Sequence, residues 1–144
     1  MSTLSTKYII LDLDGTLMGE GTVFPQSLDL LIQLKHLHYH LTLASHNPHA
    51  QFFCDRYGFS DHIDHVVAFA PQDYEQPTKH SHLLEIMNYY QTKNLHISYK
   101  EMVLIDDRSD VINHTKNTLP EVSYIQVNAL TGLVSTDINH LLHK

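Results

Sequence analysis

The sequence has one cysteine and no tryptophan in 144 residues, and its nine lysines and arginines are outnumbered by sixteen aspartates and glutamates. Cys54 alone makes no intrachain disulfide and no Cys-x-x-Cys pair for zinc or dithiol chemistry, which fits a reducing, intracellular and cytoplasmic setting. A formal net charge of -7 lacks the basic patch that neutralises phosphates on a nucleic acid or an anionic membrane, so neither partner is favoured. Thirteen histidines take up part of that negative balance at mildly acid pH, so the exclusion holds best above neutrality. The five glycines and five prolines never cluster into a linker, and no repeat of fixed period is present. Long apolar runs are missing too: Tyr8-Ile9-Ile10-Leu11 ends at Asp12, too short for a membrane span or a signal-peptide core. One soluble domain over residues 1–144 is expected.

Short apolar runs bounded by turn residues alternate with amphipathic stretches, the pattern of an α/β fold in which helices cross over between buried parallel strands. Strands are predicted at 8–12, 41–45, 66–70, 102–106 and 123–127. Helices are predicted at 25–38, where Leu28, Leu31, Ile32 and Leu34 share helical spacing, and from Asn47-Pro48 to Tyr57, stopped by Gly58. Three more are predicted at 79–90, 109–117 and 137–143. Right-handed crossovers bring every strand-to-helix turn to one carboxyl edge of the sheet, and chemistry is expected there.

The first strand runs into Asp12-Leu13-Asp14-Gly15-Thr16-Leu17, two carboxylates one residue apart followed by a glycine that permits a tight turn. Acids this close repel unless a cation or a retained proton relieves them. The second strand runs into Ala44-Ser45-His46-Asn47, a hydroxyl beside the first amides of a helix, where an anion is favoured. Lys79 stands at a helix start, placed to balance an acidic pocket, and strand four ends in Asp106-Asp107, hard oxygen ligands suited to Mg²⁺.

In this order the four segments resemble the motifs of the haloacid dehalogenase superfamily, across residues 12 to 107, and the first motif is highly specific. The resemblance implies a Rossmann-like five-stranded parallel sheet flanked by helices and a Mg²⁺-dependent phosphomonoester hydrolase. In it Asp12 is the nucleophile that forms an aspartyl-phosphate, and Asp14 is general acid and base. It further implies substrate binding by Thr16, Ser45, His46, Asn47 and Lys79, and metal binding by Asp12, the Asp14 carbonyl and Asp106 or Asp107. The fourth motif lacks the usual glycine before its first acid: either Asp107 binds the metal with Asp106 supporting it, or Asp106 pairs with Asp110. Neither gap between the early motifs has room for a cap domain, so the protein resembles the capless magnesium-dependent phosphatases. An open site suits a phosphorylated macromolecule, or a sugar phosphate covered by a neighbour in a homo-oligomer.

Asp-Gly is a common turn dipeptide, and a lone serine or lysine is usually structural or solvated, so these residues carry weight only together. The histidines, including His36, His38, His40, His80 and His82, read as solvated rather than as a zinc site, because residues two apart do not share a helix face. Cys54 reads as a buried helix residue rather than a nucleophile. The competing function is a non-catalytic phosphate-binding or receiver-like signalling domain. Receiver domains, however, carry their adjacent acids on the first strand and the phosphorylated aspartate on a middle one.

Overall fold

The apolar runs become the strands of one sheet because they are hydrophobic on both faces. In the computed structural model, which describes residues 6–143, the chain passes through β1 (Tyr8–Leu11), a small hairpin of β2 (Met18–Gly19) and β3 (Thr22–Val23), α1 (Ser27–His36), β4 (His40–Ser45) and α2 (Ala50–Arg56). It continues through β5 (His65–Ala68), α3 (His80–Thr92), β6 (Met102–Asp106), α4 (Ser109–Thr118), β7 (Ser123–Gln126) and α5 (Asn139–Leu142). The five long strands pair in the order β5-β4-β1-β6-β7, all in parallel. The expected α/β, Rossmann-like sheet is therefore present. Its order overturns the receiver-like alternative, in which the first strand lies between the second and third.

Alternation along the strands divides the core. Ile9, Leu11, Leu41, Leu43, Val103 and Ile105 pack on one face against Leu30, Leu31 and Leu34 of α1, Ala50 and Cys54 of α2 and Leu141 of α5. Tyr8, Ile10, Ala44, Met102 and Leu104 pack on the other against Leu83, Ile86, Met87 and Tyr90 of α3. Fully burying such aliphatic side chains contributes about 1.5–3 kcal/mol each, so these two layers dominate the stability.

Several element ends differ from expectation, each for a local reason. Asp12 lies just past β1, although its amide still donates to the Ile105 carbonyl at 3.0 Å. α1 begins at Ser27, beyond Pro25, and the chain turns at His38, which takes a φ of 67°. Asn47-Pro48 is a turn before α2 rather than its first turn, closed by the His49 amide on Asn47 Oδ1 at 2.9 Å. Gly58, at φ 80°, takes the left-handed conformation just past α2, as expected of a helix stop. The final stretch is a 3₁₀ turn, Ser135–Ile138, followed by the short α5, not one helix. No helix among the described residues is long and apolar enough to cross a membrane.

Candidate active site

Register places the acids. β1 lies between β4 and β6, with Leu11 opposite Leu43 and Ile105, so the next residue, Asp12, comes level with Asp106, and Ser45 stands on the other side. The chain leaves β5 on one flank and returns through α3 to β6 on the other, so the crevice at this edge is a topological switch point, where α/β sheets bind ligands. A cavity of about 410 Å³ opens here, and its lining includes Asp12, Asp14, Ser45, His46, Asn47, Lys79, Asp106 and Asp107.

Lys79 organises the floor. It caps α3, its amide donates to Thr115 Oγ1 of α4 at 2.8 Å, and its ammonium donates to Asp12 Oδ1 at 2.8 Å and to Asp106 Oδ2 at 2.7 Å. All three side chains are buried. Burial works against the Lys79 charge, but the two carboxylates more than offset it and hold the ammonium protonated. Burial, opposed by Lys79 and reinforced by Asp106, pushes the Asp12 carboxyl well above the ordinary range. Burial raises Asp107 as well, and the Asp12 and Asp107 carboxyls lie close enough to share a proton.

Asp106 and Asp107 have separate surroundings. Asp106 accepts from Lys79 and, through Oδ1, from the Arg108 amide at 3.0 Å. Asp107 is half-buried, and its Oδ1 has no hydrogen-bond partner. The postulated Asp106–Asp110 pairing does not form, because Asp110 instead takes the Arg108 guanidinium at 2.6 and 3.1 Å. Gly15, at φ 81°, turns the chain under Asp107, and a Cβ there would collide with that carboxylate. Oxygens of Asp12, Asp106 and Asp107 lie within 4.8 Å of one another. Hard donors this close, one unpartnered and buried, fit a divalent cation such as Mg²⁺.

Around this floor, Ser45 is buried and its hydroxyl accepts the Asn47 amide at 3.0 Å, leaving its proton to donate into the cavity. Asn47 Nδ2 approaches Asp14 Oδ2 at 3.3 Å, and Asp14 itself is exposed. His46 Nε2 contacts the Thr78 carbonyl at 3.0 Å, and burial lowers its pKa. Thr16, expected at the substrate, is instead fully buried and does not line the cavity. Its carbonyl accepts the Leu133 amide at 2.8 Å, tying the first motif to the loop after β7.

His82 is a second correction, since it is buried rather than solvated. Its Nε2 lies 3.0 Å from both the Ser45 and Phe69 carbonyls, its ring stacks on Phe69 at 3.9 Å, and burial lowers its pKa to about 4. Sequence spacing sets His82 three residues after Lys79, hence on the same helix face, but does not show the Ser45 and Phe69 contacts that bury it. The flap over 19–23, expected beside this edge, brings Glu20 to the cavity, whereas the linings Arg108, Ala129 and Leu130, from the loops after β6 and β7, were unforeseen.

No protein-family model and no curated protein matches the chain. Solved structures do. A 4-nitrophenylphosphatase from Thermotoga maritima aligns with 93% of this chain and 89% of its own at 13% identity, TM-score 0.65. The N-terminal part of a Bacteroides fragilis protein, containing a phosphatase domain and complexed with Mg, aligns with 94% of this chain and 40% of its own at 19% identity, TM-score 0.66. A 3-deoxy-D-manno-octulosonate 8-phosphate phosphatase from Moraxella catarrhalis, with magnesium, phosphate and the sugar bound, aligns over 73% and 60% at 21% identity, TM-score 0.51. The likeness is one of architecture: the chain shares its fold with these solved phosphatase structures.

Proposed function

We propose that the chain is a phosphomonoester hydrolase working through an aspartyl-phosphate at Asp12. One observation carries the reading: a buried carboxylate held by a buried ammonium, Asp12 Oδ1 to Lys79 Nζ at 2.8 Å, at the sheet edge where an exposed second acid, Asp14, stands two residues on. Lys79 fixes the orientation of Asp12 so that its carboxylate attacks phosphorus while the ester P–O bond breaks. Asp14, reachable from solvent, gives its proton to the departing oxygen and then takes one from the water that attacks the aspartyl-phosphate, releasing phosphate and restoring Asp12. Ser45 donates to a phosphoryl oxygen, and His46 and Asn47 border the same pocket.

Asp12, Asp107 and the Asp14 carbonyl would hold Mg²⁺, with Asp106 as the support that keeps Lys79 in place. Bound there, the ion supplies neutralisation of Asp12 against an incoming phosphate dianion. The test is hydrolysis of 4-nitrophenyl phosphate with Mg²⁺ and after exhaustive chelation, with acid-quenched protein assayed for covalent phosphate. Turnover abolished by chelator, with label on Asp12, is expected. Full activity after chelation removes the metal, and phosphate binding without turnover favours a non-catalytic domain.

A further inference from the structure

The charges lining the cavity fall into a floor and a rim. On the floor the Lys79 ammonium is shared between Asp12 and Asp106, both within 2.8 Å, and Asp107 joins them, its carboxylate within 4.8 Å of theirs. At the rim the charged linings are Asp14, Glu20 and Arg108. Arg108 is the rim's cation, and Asp110 holds it at two points, Nη2 to Oδ2 at 2.6 Å and Nε to Oδ1 at 3.1 Å. That contact cancels its charge as seen by a ligand and leaves Asp14 and Glu20 uncompensated. The rest of the rim is neutral. Burial disfavours charge on His46, Asn47 is an amide, and Leu130 presents an apolar side chain that is 88% exposed beside Ala129.

A phosphoryl group anchored over Asp12 therefore has its leaving group among two carboxylates, neutral polar groups and an exposed leucine, with no unpaired cation among the lining residues. We propose, resting on the hydrolase reading above, that this rim selects phosphomonoesters with an uncharged or cationic leaving group and rejects those with a second anionic group such as a carboxylate or another phosphate. Like charges about 4 Å apart in water cost about fivefold in an equilibrium, and more where solvent is partly excluded. Phosphorylated nucleic-acid ends, which carry a neighbouring phosphate, fall in the rejected class, whereas polyol, hexose and aryl phosphates fall in the accepted one.

Matched pairs that differ in leaving-group charge test this: glycerol 2-phosphate against 2-phosphoglycerate, and glucose 6-phosphate against 6-phosphogluconate, with 4-nitrophenyl phosphate as the reference for turnover itself. The expected result is a kcat/KM at least about fivefold higher for the neutral member of each pair, with the ratio shrinking at high salt. Glu20→Gln, which removes a rim anion, and Asp110→Asn, which frees Arg108, should each move the ratio toward the anionic member by roughly fivefold. Equal or better turnover of the anionic members overturns the proposal, as does a ratio that neither variant moves. If no phosphomonoester is hydrolysed, the hydrolase reading falls. The rim is then judged by the chain's calorimetric affinity for the same pairs, where tighter binding of the anionic members sinks it.

Discussion

Asp12 Oδ1 accepts from the Lys79 ammonium at 2.8 Å, and the oxygen of an amide of the same shape keeps that hydrogen bond while giving up the charge. Asp12→Asn should therefore lower kcat by about 10³-fold or more while losing less urea stability than Asp106→Ala, which removes the hydrogen bond as well. A variant that keeps its turnover would remove Asp12 from the chemistry. Asp14→Asn, at an exposed position, should keep Mg²⁺ affinity and accumulate covalent phosphate on 4-nitrophenyl phosphate, whose leaving group needs little protonation. The two adjacent acids at the end of β6, Asp106 and Asp107, separate in the same way. Asp107→Ala, which removes the carboxylate whose Oδ1 has no partner, should weaken Mg²⁺ binding most. Asp106→Ala leaves Lys79 with half its partners and should cost about 3 kcal/mol in stability as a broken buried ion pair. Titration calorimetry and urea melts on the two variants distinguish these outcomes, and Mg²⁺ affinity lost chiefly in Asp106→Ala would reverse the assignment.

The first turn of α3 connects three parts of the site: Lys79 reaches β1 and β6, Thr115 of α4 holds its amide, and His82 reaches the carbonyls at the ends of β4 and β5. The neutral His82 ring is favoured by the fold, with a pKa of about 4 against 6.5 for the unfolded chain. The unfolded state thus binds a proton that the folded state refuses. The stabilisation is complete above pH 6.5 and is lost as pH falls toward about 4, amounting to about 3 kcal/mol. His82→Gln keeps a donor but does not titrate, so its urea stability should fall less between pH 7 and about 4.5 than that of the wild type. Parallel slopes would contradict this. The acids, the serine and the lysine were legible in the sequence because each sits at an apolar run's end or a helix start, where local pattern and chemistry coincide. Thr16 and His82 were misread because their burial depends on contacts distant in sequence, Thr16 with Leu133 and His82 with Ser45 and Phe69. The start of α2 was misplaced because Asn47-Pro48 reads equally as a cap or as the Asx turn it forms.

For the molecule as a whole, the acidic floor links the site to stability. A ligand that binds only the folded state contributes RT ln(1 + [L]/Kd), about 2.7 kcal/mol at a hundredfold excess over Kd. Saturating Mg²⁺ should therefore raise Tm by several degrees, on the order of 2–4 °C per kcal/mol for a chain this long. Scanning calorimetry with Mg²⁺ and with chelator checks this, and an unchanged Tm would show that no such cation site exists in the fold. The strand order has a different consequence, in time rather than in energy. β1 leaves the ribosome first, yet its second partner is β6, which begins at Met102. Once the chain through β5 has been made, β1 can pair with β4 while its other edge, Tyr8 to Leu11, stays open and apolar. At about 5–20 residues per second that exposure lasts for seconds during synthesis, and an uncovered hydrophobic edge is a template for pairing with another chain. The central position that brings Asp12 level with Asp106 thus makes the nascent protein dependent, for those seconds, on whatever shields β1 until β6 arrives.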